Sequence, residues 1–100
     1  MVSGFPDWQL RAFTSAKNFE QQKISATAVE STNSFTLQIK SCFIYNDGVN
    51  PVHLNFDATA TTNHVKIVSK AWLFIDLEMT DIHAICAAGE TATVYAVGFY

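Results

Sequence analysis

One hundred residues, 49% of them hydrophobic, bound a single folded domain with one modest core. Only 15% of the residues are charged and the net charge is -3, so the six Lys and Arg supply no basic patch for nucleic acid or an anionic membrane. No apolar run reaches the roughly 18–20 residues of a membrane span, and so sparsely charged a surface has weak protection against association, which points toward a subunit of an assembly.

Residues 1–16 read as an extended arm ahead of a β-domain over 17–100. Pro6 steers Phe5 away from helix, and Trp8, Leu10 and Ala12 alternate with Gln9 and Arg11. One helical turn behind Pro6 fits the same residues. Phe5 and Trp8 are costly to leave in water, so the arm is expected to pack on its own domain or on a neighbour. The opening residues have neither the basic region nor the apolar core of a signal peptide. Folding in a reducing cytoplasm is therefore expected, with Cys42 and Cys86 as free buried thiols.

Residues 19–30 are polar and Thr/Ala-rich and suggest an edge strand of weak register. Ser31-Thr32-Asn33-Ser34 reads as a turn. Phe35, Leu37 and Ile39 then alternate with Thr36, Gln38 and Lys40, placing the first three inward. The run Cys42-Phe43-Ile44-Tyr45 is apolar on both faces, which calls for a bulge or a strand covered on both sides. In Asn46-Asp47-Gly48-Val49-Asn50-Pro51 the Asp-Gly pair predicts a tight hairpin with positive φ, and Pro51 can open the next strand.

Val52, Leu54 and Phe56 point inward in that strand, and residues 58–63 make an uncharged loop. The following strand over 64–69 turns Val65 and Ile67 inward and would pair with 52–57. Residues 72–77 are apolar on both faces except at Asp76, which predicts a central position or a contact. Two further strands over 82–86 and 91–97 flank a turn at Gly89-Glu90. Strands repeating about every ten residues with turns between them signal a sandwich or barrel. The expected fold is all-β, a small antiparallel β-sandwich or jelly-roll-like barrel with an extended N-terminal arm.

The residues suited to chemistry do not assemble in the sequence. His83 and Cys86 are three apart on a strand, hence on opposite faces, and cannot share a metal. Asp57 and His64 would meet at the base of the 58–63 loop, most simply as a surface pair. Thr59, Thr61, Thr62 and Asn63 are weak ligands for a metal there. Neither cysteine stands in the exposed, electropositive setting of a nucleophile, and no phosphate loop or G-x-S-x-G elbow occurs. A protein without catalytic residues, cofactor or metal is the expectation. Phe5, Trp8, Trp72, Phe74, Tyr95, Phe99 and Tyr100 would also suit a sugar-stacking platform, although core and interface use is the commoner reason for such residues.

The run Asn46-Asp47-Gly48-Val49-Asn50-Pro51-Val52-His53-Leu54-Asn55-Phe56 resembles small virion proteins of tailed bacteriophages, which share the form N-x-G-x-N-P-h-x-h-x-F with h apolar. Ala60-Thr61-Thr62-Asn63, Val65-Lys66-Ile67 and the stretch from Thr80 to Val94 extend the likeness. It departs at Val68-Ser69-Lys70-Ala71-Trp72, where such proteins tend to place a Pro/Gly turn with an acidic residue. The resemblance implies a β-sandwich at the capsid surface of the virion, made in the host cytoplasm. It would be a decoration (cement) protein, or a neck, tail or fibre subunit that binds a receptor or carbohydrate. Its implied partners are the major capsid protein and copies of itself in a homotrimer. Phe5, Trp8, Thr59, Thr61, Thr62, Asn63 and Trp72 are the candidate contact residues.

Overall fold

The computed structural model describes residues 18–100, which form eight strands and, among the described residues, no helix. They are β1 (Phe19–Ala26), β2 (Ser31–Ile39), β3 (Ser41–Asn46), β4 (Val52–Phe56), β5 (Val65–Ile67), β6 (Trp72–Ile75), β7 (Met79–Ile85) and β8 (Ala92–Phe99). One sheet has the order β1-β8-β3-β6 and the other β2-β7-β4-β5, with every pairing antiparallel. Eight strands that cross between two such sheets at every connection but the β4–β5 hairpin make a jelly roll. The expected all-β sandwich is therefore the fold. The proposed arm over 1–16, with Phe5 and Trp8, lies outside the described residues.

Period-two alternation builds the core. Ile24 and Ala26 of β1, Cys42 and Ile44 of β3, and Val94 and Ala96 of β8 point inward from the first sheet. Phe35 and Ile39 of β2, Val52 and Leu54 of β4, and Ile82 and Ala84 of β7 meet them from the second. Both cysteines are free and buried. Burial pushes the Cys42 thiol up to about 12, and it raises Cys86 as well.

Several expectations need correction. The turn assigned to 31–34 is the start of β2, and Leu37 is exposed because the β2–β7 register shifts between Ser34 and Ile39. The run 72–77 is a short edge strand that ends at Ile75, so Asp76 follows it. In β3 the pleat does not shift. Cys42 and Ile44 face the core, while Phe43 and Tyr45 lie half-buried among rings on the outer face.

The Asn46–Pro51 turn is not a hairpin either, since β3 and β4 belong to opposite sheets. The glycine there serves close approach: a Cβ on Gly48 would lie 2.7 Å from the Cα of Ala92. Positive φ occurs instead at Asp57, Lys70 and Gly89. Asn46 organises the crossover. Wholly buried, its Nδ2 donates to the carbonyls of Asn50 (2.8 Å) and Ile67 (2.9 Å), and its Oδ1 accepts from the Gly48 N–H (2.9 Å). One side chain thus ties the crossover to the end of β5.

Candidate functional site

The two outer faces of the sandwich differ in chemistry, and the difference follows from strand register. On the first sheet the outward positions are Phe19, Gln21 and Lys23 of β1, Tyr95, Val97 and Phe99 of β8, Phe43 and Tyr45 of β3, and Trp72 and Phe74 of β6. Pairing arranges them in rows across the sheet. Lys23, Tyr95, Tyr45 and Trp72 form one row, and Gln21, Val97, Phe43 and Phe74 form the next. Phe19 and Phe99 begin a third.

The rows are unequal. Phe43 stacks edge-on against Phe74 (centroids 4.8 Å) and Phe99 (6.0 Å), and all three are half-buried. The first row stands more open: Trp72 is 69% exposed and Tyr95 42%. The Tyr45 and Trp72 rings lie 4.6 Å apart, tilted by 33°, and the Lys23 ammonium stands 6.0 Å from the centre of the Tyr95 ring. At the Trp72 end Lys70 bonds Asp47 at 2.8 Å, and this partner holds the ammonium pKa above its ordinary value. The row that holds Trp72 therefore carries two phenols and an indole between two ammonium groups, while Phe43, Phe74 and Phe99 sit deeper and Phe19, at the β1 edge, is 54% exposed.

The second sheet's outer face carries His53 and His83, and His64 stands at the end of the β4–β5 loop beside His53. His83 Nδ1 lies 2.9 Å from Glu30 Oε1 and 3.1 Å from Thr32 Oγ1. His64 Nδ1 accepts the Thr61 N–H at 2.8 Å, and His53 Nδ1 lies 3.2 Å from the His64 carbonyl oxygen. His83 and Cys86 do face opposite ways, as the alternation requires. The expected Asp57–His64 pair does not form. Asp57, with φ of 57°, accepts the N–H groups of Thr80 (3.0 Å) and Asp81 (2.8 Å) and so caps the start of β7.

Of the candidate contact residues, Thr59, Thr61, Thr62 and Asn63 lie in the β4–β5 loop, at the end of the sandwich opposite Trp72. The structure does not bring that loop and Trp72 onto one surface. Tyr100 packs against the core and leaves the proposed platform, whereas Phe43 and Tyr45, not singled out in the sequence, join it. Their signal is an i, i+2 aromatic pair in β3, repeated in β6 and loosened to i, i+4 (Tyr95 and Phe99) in β8. Which strands lie side by side was not readable.

No family model matches the chain, and no curated protein matches it in sequence. Among solved structures it is similar to Fe(II) HppE in complex with substrate, at 15% identity and a TM-score of 0.55. That match covers 81% of this chain and 45% of HppE, so the chain spans under half of that protein's length. A second similar structure is a cupin-2 domain containing protein from Shewanella frigidimarina NCIMB 400, at 7% identity, a TM-score of 0.46, and 84% and 72% coverage of the two chains. What the chain shares with HppE is the fold. This corrects the expectation of a chain without catalysis, which rested on missing motifs: the same architecture serves an Fe(II) protein crystallised with its substrate.

An iron of the kind held by two histidines and a carboxylate does not fit the described residues. The buried side chains are hydrophobic apart from Ser41 and Asn46, both cysteines are protonated thiols, and the histidines stand on or beside an outer face, bonded to different neighbours. Among the described residues no three His, Cys, Asp or Glu side chains are grouped to hold a metal.

Proposed function

We propose that this domain is a non-covalent binding subunit of a tailed-bacteriophage particle, and that the Tyr95–Tyr45–Trp72 row is its contact surface. The row carries the reading. Large exposed aromatic patches mark interaction sites, and Trp and Tyr are the side chains that most often dominate binding energy. The jelly roll suits the assignment, being an architecture of viral capsid and lectin domains as well as of cupins. The phage setting rests on the likeness of the Asn46–Phe56 run to small virion proteins, and the low charge of the chain agrees with a surface that is covered in use.

The test compares the full chain with a Trp72→Ala/Tyr95→Ala double variant for association with particles lacking the protein and with host cells. Binding to either target that falls at least tenfold in the folded double variant supports the reading. Undiminished binding by that variant overturns it.

A further inference from the structure

The division of the aromatic face into rows says what the exposed row is built to hold. A contact meant only to exclude water would be served by phenylalanine, and this face has phenylalanine in quantity. Phe43, Phe74 and Phe99 are nevertheless half-buried in the other rows, and the open phenylalanine, Phe19, stands apart at the β1 edge of the third. The open row is restricted to rings with a polar edge: two phenol hydroxyls and one indole N–H. Such rings present an apolar face and a hydrogen-bonding rim together.

Charge narrows the choice. Charged groups at both ends of the row add hydrogen-bonding partners to the polar edges of its rings. Here Lys23 stands over Tyr95 at one end of the row, and the Lys70–Asp47 pair flanks the other, with Lys70 in electrostatic reach of Tyr45. A protein partner would meet these groups at a polar rim, with the rings alone at the centre. A ligand edged with hydroxyl groups would use the ring faces and the polar groups together.

We propose that the Lys23–Tyr95–Tyr45–Trp72 row binds a saccharide, with pyranose rings laid against the aromatic faces. This rests on the reading of the row as the domain's contact surface and names its occupant. The C–H faces of a pyranose meet the Trp72 and Tyr95 rings. Its hydroxyls accept from the indole N–H, the Lys23 ammonium and the phenols, and they donate to the phenol oxygens and the Asp47 carboxylate. Adjacent strands lie about 4.8 Å apart, so the row from Tyr95 to Trp72 spans about 10 Å. That length favours two linked sugar units over one.

The experiment applies the full chain to an array of bacterial surface glycans, comprising lipopolysaccharide O-chains, capsular polysaccharides and peptidoglycan fragments. The best array hit is then titrated into isotope-labelled protein by NMR. Shift changes confined to Lys23, Tyr45, Trp72, Tyr95 and the Asp47–Lys70 pair are expected. Trp72→Ala should weaken binding at least tenfold. Tyr45→Phe and Tyr95→Phe, which keep the ring and the fold, should each weaken it about two- to fivefold. Absence of glycan binding by the wild-type chain overturns the saccharide, as do shift changes elsewhere on the domain. If particle association still depends on Trp72 and Tyr95 in that case, the contact surface stands and its occupant is protein. If neither target depends on the row, both readings fall.

Discussion

Replacing Asn46 with alanine tests whether one buried side chain holds the crossover between the sheets. The substitution strands the Ile67 carbonyl in a fully buried setting, and the Asn50 carbonyl and Gly48 N–H in partly buried ones. A buried group left without its partner costs about 1–3 kcal/mol, and each partly buried bond contributes about 0.5–1 kcal/mol. The expected loss is therefore about 3 kcal/mol, a large share of the roughly 5–15 kcal/mol that holds a small domain together. In a domain of this size it corresponds to a fall in Tm of about 12–24 °C.

Urea unfolding followed by circular dichroism, with a thermal melt alongside, measures it. Asn55→Ala, which removes a partly exposed side chain, should stay within about 1 kcal/mol of wild type. Asn46→Asp sharpens the test. It keeps an acceptor for Gly48 but aims a carboxylate oxygen at two carbonyls, so at neutral pH it should be worse than alanine. Burial raises the pKa of such a carboxyl, and its protonation at acid pH restores one donor, so the deficit relative to alanine should shrink below about pH 5. A loss under about 1 kcal/mol for Asn46→Ala, equal to that of Asn55→Ala, would refute the reasoning.

Three further outcomes follow from the same geometry. Gly48→Ala should cost about 1–3 kcal/mol in urea unfolding, because its Cβ would meet the backbone of Ala92 at 2.7 Å and the loop must move. Trp72→Ala should cost at most about 1.5 kcal/mol, the worth of an aromatic pair, so that any loss of binding is separable from loss of fold. Alkaline stability tracks the buried thiol. Cys42 is raised from an ordinary 9.0 to about 12, so above pH 9 the unfolded chain releases a proton that the folded chain retains. Stability is therefore unaffected below pH 9 and falls as pH rises toward 12. Cys42→Ala should flatten that decline between about pH 8 and pH 10.5 in paired urea titrations, and native Cys42 should resist thiol reagents at neutral pH.

Alternation and turn residues were enough to read the sequence as all-β, because each is a local property of the chain. Val52, Leu54 and Ile67 declared their strands and the β4–β5 pairing, as the short uncharged loop between them allowed, whereas Val65, expected inward, is 46% exposed on the edge strand β5. Gly89, with φ of 77°, declared its turn. Leu37 did not declare its exposure, since a register shift is set by the partner strand and not by the alternation of β2 itself. Gly48 gave a misleading signal: a residue pair that suits a hairpin also suits a crossover where two backbones nearly touch.

The candidate surface was the least legible part. Its aromatics come from β3, β6 and β8, which are distant in sequence, and only the order β8-β3-β6 sets Tyr95, Tyr45 and Trp72 side by side. The sequence by itself determined which residues form strands and which face of each strand is apolar, because period-two alternation is written residue by residue. Only the tertiary structure decided which strands are neighbours, and so that three separated rings form one row, because strand pairing satisfies long-range backbone hydrogen bonds that no local segment specifies.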